Sequence, residues 1–171
     1  MTARRGAAAL ALAALALASP LVMKWEGKRN ATYIDLAGIP TACYGQTGAR
    51  VKTGQRYSDE TCKQWLQESM AEHYAGLTRC LTAPAEAHQL AALTSWTYNV
   101  GVSAACKSQL VRKANAGDWP GACAELDKWV FVKGQRVQGL VNRRKEERAL
   151  CEGRMRSLPA DLQPAAVAEL R

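Results

Sequence analysis

Eighteen consecutive residues near the N-terminus, Gly6–Met23, carry no charge, and Arg4 and Arg5 stand immediately before them. As a helix, a run of that length spans about 27 Å, close to the roughly 30 Å of a bilayer's hydrocarbon core. No second run of this kind follows, which excludes a multi-spanning membrane protein. The positive flank keeps residues 1–5 on the cytoplasmic side and directs the rest outward. Two forms of export fit. Ala16-Leu17-Ala18 matches a small-x-small cleavage pattern, with Ser19 as the new N-terminus of a signal-peptide product. Alternatively residues 6–23 stay attached as a signal-anchor, weakly held because alanine contributes little to insertion. A buried core helix accords less well with an Arg-Arg flank at the extreme N-terminus.

Cysteine usage agrees with export. Cys43, Cys62, Cys80, Cys106, Cys123 and Cys151 are even in number and all lie beyond the apolar run. That is the expected usage of an oxidising compartment such as the periplasm. No two form a CxxC pair, and His73 and His88 do not complete a ligand set, so no metal site is expected. Six cysteines allow fifteen connectivities, and spacing alone does not choose among them.

After residue 23 the 171-residue chain shows no repeat or low-complexity block, and its length suits one domain with a genuine core. Ser19-Pro20 reads as a helix start leading into Leu21–Glu26. Gly27, Gly38, Pro40, Gly45, Gly48 and Gly54 then punctuate short extended stretches, Thr32–Asp35 and Thr41–Tyr44, as in a small β region. From an N-cap at Ser58 the apolar positions Cys62, Leu66, Met70, His73 and Leu77 recur at helical spacing. Further helices are expected at Ala85–Val100, Ala104–Ala116, Pro120–Val130 and Leu140–Cys151, with a loop at Val132–Gly139. The expected organisation is an export segment (1–23), a catalytic domain (24–153) and a loosely held tail (154–171). The fold class is α+β, a small β lobe followed by a larger helical lobe.

The residues with chemical promise lie between 26 and 41. Glu26 is followed after eight residues by Asp35, and after five more by Thr41. Two carboxyls and a hydroxyl around a tight β turn suit hydrolysis of a glycosidic bond. One carboxyl must donate a proton to the leaving oxygen while the other, ionised, positions water. Glu26, at a helix end beside apolar Met23 and Trp25, suits the first role. Asp35, in a polar loop, suits the second, with Thr41 Oγ1 holding the water against it. The bare spacing arises by chance in about 2–3% of chains this long, so the surrounding residues must decide.

Those surroundings are Leu21–Gly27, Tyr33-Ile34-Asp35, Thr41–Gly48, Tyr57–Cys62, Tyr98–Gly101, Asn115–Asp118 and Gly139–Glu147. Over residues 20–153 they resemble, in order, the phage-type lysozymes of glycoside hydrolase family 24. With the export segment the chain looks most like a signal-anchor-release endolysin of the lambdoid-phage type. The resemblance implies a lysozyme-like fold with its cleft between the lobes. It makes Glu26 the general acid that cleaves between N-acetylmuramic acid and N-acetylglucosamine. Asp35 and Thr41 orient the water of an inverting reaction, with the carboxyls about 6.5–9.5 Å apart. Arg143 matches an arginine that reaches the acid in this family, although a solvated face of the charged stretch Arg143–Arg148 is its plainer reading. Tyr98 and Asn99 line the cleft or else cap a core helix. The resemblance also implies disulfides Cys43–Cys62, from sheet to long helix, and Cys123–Cys151, between late helices, with Cys80–Cys106 as the third. Gln46 departs from the family pattern, in which a histidine near this position takes part in a local ion pair; a disulfide at Cys43 is the expected replacement.

Position carries a regulatory reading. Only Lys24 and Trp25 separate Glu26 from the apolar run, so a bilayer holding residues 6–23 also holds Glu26 at its surface. The anchored form is then inactive, and release or cleavage is the switch; with no cysteine in the run, thiol exchange with it is not. The expected partners are peptidoglycan glycan strands and, before release, the inner membrane. No cofactor is needed, and a monomer is expected. The net charge of +8 (23 Lys+Arg against 15 Asp+Glu) points to an anionic partner. Nucleic acid is not favoured, because aromatics interleaved with a basic patch are missing. Two other functions compete: a non-catalytic wall-binding module, and a lytic transglycosylase, which leaves Asp35 and Thr41 unexplained.

Overall fold

The computed structural model describes residues 2–35 and 37–155. The first helix, α1 (Thr2–Glu26), is longer than the Ser19-Pro20 start implied, because Pro20 lies inside it. Proline removes one backbone hydrogen bond, toward the carbonyl of Ala16, yet the helix continues through it. Ala14, Ala18, Leu21 and Val22 on α1 are fully buried. The second half of the apolar run therefore belongs to the core of the folded domain.

The β lobe follows. β1 (Arg29–Ile34) pairs antiparallel with β2 (Pro40–Cys43), in a register that sets Tyr33 opposite Thr41. An irregularity between Arg29 and Tyr33 bends the ladder. The hairpin turn is organised by Asp35, whose Oδ1 accepts the amides of Ala37 (2.8 Å) and Ile39 (2.9 Å). Gly38, at φ +79°, supplies the left-handed residue the turn requires.

α2 (Asp59–Thr78) starts where the sequence placed it, with the Ser58 side chain accepting the Thr61 amide at 3.1 Å. α3 (Ala87–Val100) is the central helix: every residue from Leu90 to Thr97 is buried. A helix enclosed on all sides must be surrounded, and α1, α2 and the helix Gln138–Cys151 pack against it. Gly76 on α2 allows close approach of the short helix that begins at Val102, since a Cβ there would lie 2.5 Å from Val102 Cγ2.

The expected single helix over Ala104–Ala116 is two: α4 (Val102–Cys106) and α5 (Gln109–Asn115). Ser108 makes the break. Its Oγ donates to the carbonyl of Ala105 and accepts the amide of Val111, ending one helix and capping the next. α6 (Trp119–Glu125), capped by Asp118, gives way to a 3-10 turn at Leu126–Lys128, short of the expected Val130. The expected loop contains a small hairpin, β3 (Phe131–Val132) and β4 (Gln135–Arg136), closed by Lys133 and Gly134, both at positive φ. α7 (Gln138–Cys151) is the last helix among the described residues. Of the expected tail, residues 156–171 lie outside the described part. Met155 packs against the core, and its amide and that of Arg154 both bond to Ala149 O.

The three disulfides are Cys43–Cys62, Cys80–Cys106 and Cys123–Cys151, the pairing the family resemblance implied. They tie β2 to α2, the end of α2 to α4, and α6 to α7.

Candidate active site

Glu26 is the last residue of α1 and sits in the seam between that helix, the β lobe and α7. Its Oε1 accepts from Arg143 Nη1 at 2.7 Å. Its Oε2 faces Gly45, where a Cβ would stand 3.8 Å away, so the backbone at φ +85° comes close to the carboxyl. The side chain remains one-fifth exposed, enough for a ligand to reach it.

Arg143 lies on a buried face of α7, with only 4% of its side chain exposed. Its Nη2 donates to the carbonyl of Ser95 at 3.1 Å and its Nε to Glu147 Oε1 at 3.0 Å. The same helix holds the two residues before Glu26. Glu146 accepts from Lys24 Nζ at 2.7 Å and from Trp25 Nε1 at 3.0 Å. One turn of α7 thus grips Lys24, Trp25 and Glu26 in succession.

Asp35 and Thr41 are neighbours across the β hairpin. Thr41 Oγ1 donates to the carbonyl of Ile39 at 3.0 Å and lies 3.5 Å from Asp35 Oδ2. With Oδ1 committed to two turn amides, Oδ2 is the carboxylate oxygen left with acceptor capacity toward a water or hydroxyl.

Tyr98 and Asn99, adjacent on α3, have different neighbours. Tyr98 joins the lobes: its hydroxyl accepts from Gln46 Nε2 at 2.9 Å and donates to the carbonyl of Tyr44 at 3.1 Å. Burial pushes its phenol up to about 12. Asn99 is exposed and accepts from Arg144 Nη2.

Sequence reasoning missed three contributors. Gln46 was marked only as a departure, yet it is buried, accepts the Tyr44 amide at 2.7 Å and reaches Tyr98. Ser95 and Glu147 were not singled out, and both are buried against Arg143. The available signal was spacing: Glu147 follows Arg143 by four residues and Arg144 by three, on a helix with few apolar residues to fill its inner face. A groove of about 920 Å³ between α1 and α2, with Leu12, Leu15, Met23 and Leu66 in its wall, is separate from this site; none of Glu26, Asp35 and Thr41 lines it.

Comparison with known proteins bears on the family and the fold. The family model described as phage lysozyme matches residues 23–147. The SAR-endolysin of Escherichia phage Mu is 39% identical over 118 residues, covering 69% of this chain and 68% of the relative. That of Bacteriophage PS119 is 34% identical over 150 residues, covering 84% and 90%. Among solved structures, the endolysin from Escherichia coli O157:H7 phage FAHEc1 superposes with a TM-score of 0.73 at 30% identity, covering 85% of this chain and 94% of that one. The muramidase domain of SpmX from Asticaccaulis excentricus gives 0.72 at 25% identity, covering 77% and 91%. The fold is lysozyme-like, and the chain belongs to the phage lysozyme family.

Proposed function

We propose that this chain is an endolysin that hydrolyses the β-1,4 bond between N-acetylmuramic acid and N-acetylglucosamine in peptidoglycan, causing host lysis. The observation that carries the reading is the pairing of a largely buried glutamate, held at a helix end by a buried arginine, with a β-hairpin aspartate that keeps one oxygen open beside a threonine hydroxyl. Protonated Glu26 donates to the leaving glycosidic oxygen. Asp35 Oδ2 and Thr41 Oγ1 hold a water on the opposite face of the sugar, and its attack inverts the anomeric centre. Arg143 orients the Glu26 carboxyl and ties it to the helical lobe. Asp35 also fixes its own hairpin turn, so a merely structural role competes for that residue.

Export and membrane tethering fit the same reading. The segment Arg5–Glu26 is long and apolar enough to cross a membrane, with mean hydropathy 2.0, and three disulfides suit an oxidising compartment. While residues 6–23 lie in the bilayer, Ala14, Ala18, Leu21 and Val22 are withheld from the core and Glu26 is withheld from Arg143. The tethered enzyme is inactive, and release activates it. Cleavage after Ala18 would remove two fully buried alanines, which favours release of an intact segment over a signal-peptide product.

The test is muropeptide analysis of purified wall treated with the full-length soluble chain beside Glu26→Gln. The expected result is reducing muramic-acid ends from the wild type, reduced roughly 10²–10⁴-fold in the variant. Anhydro-muramic ends would identify a transglycosylase. Wall binding without any product would leave only the binding module.

A further inference from the structure

Behind the Glu26–Arg143 pair lies a second, fully enclosed carboxyl that the reaction as described does not use. Glu147 has no exposed side-chain surface. Ser95 Oγ and Arg143 Nε donate to its Oε1 at 2.7 and 3.0 Å, and its Oε2 lies 2.8 Å from Arg144 Nη1. Burying a carboxyl at such a point is costly unless it is paired. Burial pushes Glu147 above the usual carboxylate range, and the two guanidiniums and the Ser95 hydroxyl offset only part of that. With Ser95 Oγ and Arg143 Nε both donating to Oε1 and a second guanidinium 2.8 Å from Oε2, the surroundings of Glu147 suit the anion.

Arg143 is therefore shared between two carboxyls: Nη1 on Glu26 and Nε on Glu147. We infer that Glu147 is a positioning residue for the proposed acid, acting through Arg143, with Ser95 as its anchor. The inference rests on the muramidase reading of Glu26 and deepens it. Two effects follow from the geometry. Glu147 fixes the Arg143 guanidinium, so that Nη1 meets Glu26 at one angle. Its negative charge also offsets Arg143 and Arg144, leaving Glu26 free to carry the proton that a general acid must hold before it can donate. Without Glu147, two unbalanced guanidiniums would favour ionised Glu26 and disarm it.

The other charges around the network leave that argument intact. On α3, Tyr98 stays neutral to about 12. On α1, Lys24 is engaged by Glu146. From the 3-10 turn, Asp127 is engaged by Arg148, and from the β lobe Arg50 is engaged by Glu68.

The experiment compares wild type, Glu147→Gln and Ser95→Ala as full-length soluble protein, measuring kcat, KM and the pH–rate profile on purified wall glycan, with near-UV circular dichroism and thermal melts as folding controls. Folded Glu147→Gln is expected to keep KM near wild type and to move the alkaline limb of kcat down by about one pH unit, a loss of about tenfold at a fixed pH above the limb. Ser95→Ala, which keeps the charge and loses one donor, is expected to move the limb the same way by less. It carries the test if Glu147→Gln does not fold. A lowered melting temperature with an unshifted limb and unchanged kcat would assign Glu147 to the core alone and overturn the inference. Wild-type protein that releases no reducing ends sinks the muramidase reading instead, so the two failures are separable.

Discussion

Tyr98 serves both lobes through one oxygen. It takes a hydrogen bond from Gln46 and gives one to the carbonyl of Tyr44, so the β-lobe loop is fastened to the central helix at a single point. Because burial raises the phenol to about 12, the folded state favours neutral Tyr98. That contribution is complete below the unfolded phenol's value near 10 and is lost as pH rises from about 10 to about 12. In an alkaline titration followed by phenolate absorbance, Tyr98 is expected to ionise late, and Tyr98→Phe to remove that late component. The same variant is expected to cost about 1–2 kcal/mol at neutral pH, read from denaturant melts, because Gln46 Nε2 loses its acceptor. Little of this was legible in the sequence. Glu26, Asp35 and Thr41 could be named because their spacing and flanking residues are local. Gln46 and Ser95 could not, since their partners lie 52 and 48 residues away in the chain, and Glu147, though spaced to meet Arg143, shows its burial and its bond to Ser95 only in the fold.

Among the elements, α1 departs furthest from its sequence reading. An uncharged run near the N-terminus reads as an export segment whether or not its residues later pack, because hydropathy does not distinguish lipid from protein as the apolar surroundings. The Ser58 cap made the start of α2 legible, and the expected start of α3 at Ala85 falls two residues before the observed Ala87. Ser108, read as an ordinary member of a long helix, in fact divides one, because its side chain bonds to the backbone on both sides of the break. The packing of α1 is testable by size. Ala18 is fully buried whereas Ala16, two residues earlier, is exposed. Ala18→Leu is expected to destabilise the soluble form by about 1–3 kcal/mol through overpacking, and Ala16→Leu to leave its melt close to wild type. Equal melts for the two variants would mean that α1 does not dock as described.

For the whole molecule, the excess of eight positive charges bears on encounter rather than on the bond-breaking step. The rate of wall digestion is expected to fall about threefold or more between about 0.01 and 0.15 M salt, while the rate on a short uncharged chitooligosaccharide barely changes. A salt response of equal size on both substrates would place the effect within the cleft. The disulfides carry a different consequence. They join the first cysteine to the second, the third to the fourth and the fifth to the sixth, closing spans of 19, 26 and 28 residues that neither nest nor overlap. A chain threaded through a translocation pore N-terminus first delivers each thiol's partner as the next thiol to emerge. Oxidation can then keep pace with threading, and of the fifteen possible pairings this is the one that never requires an early bond to be undone.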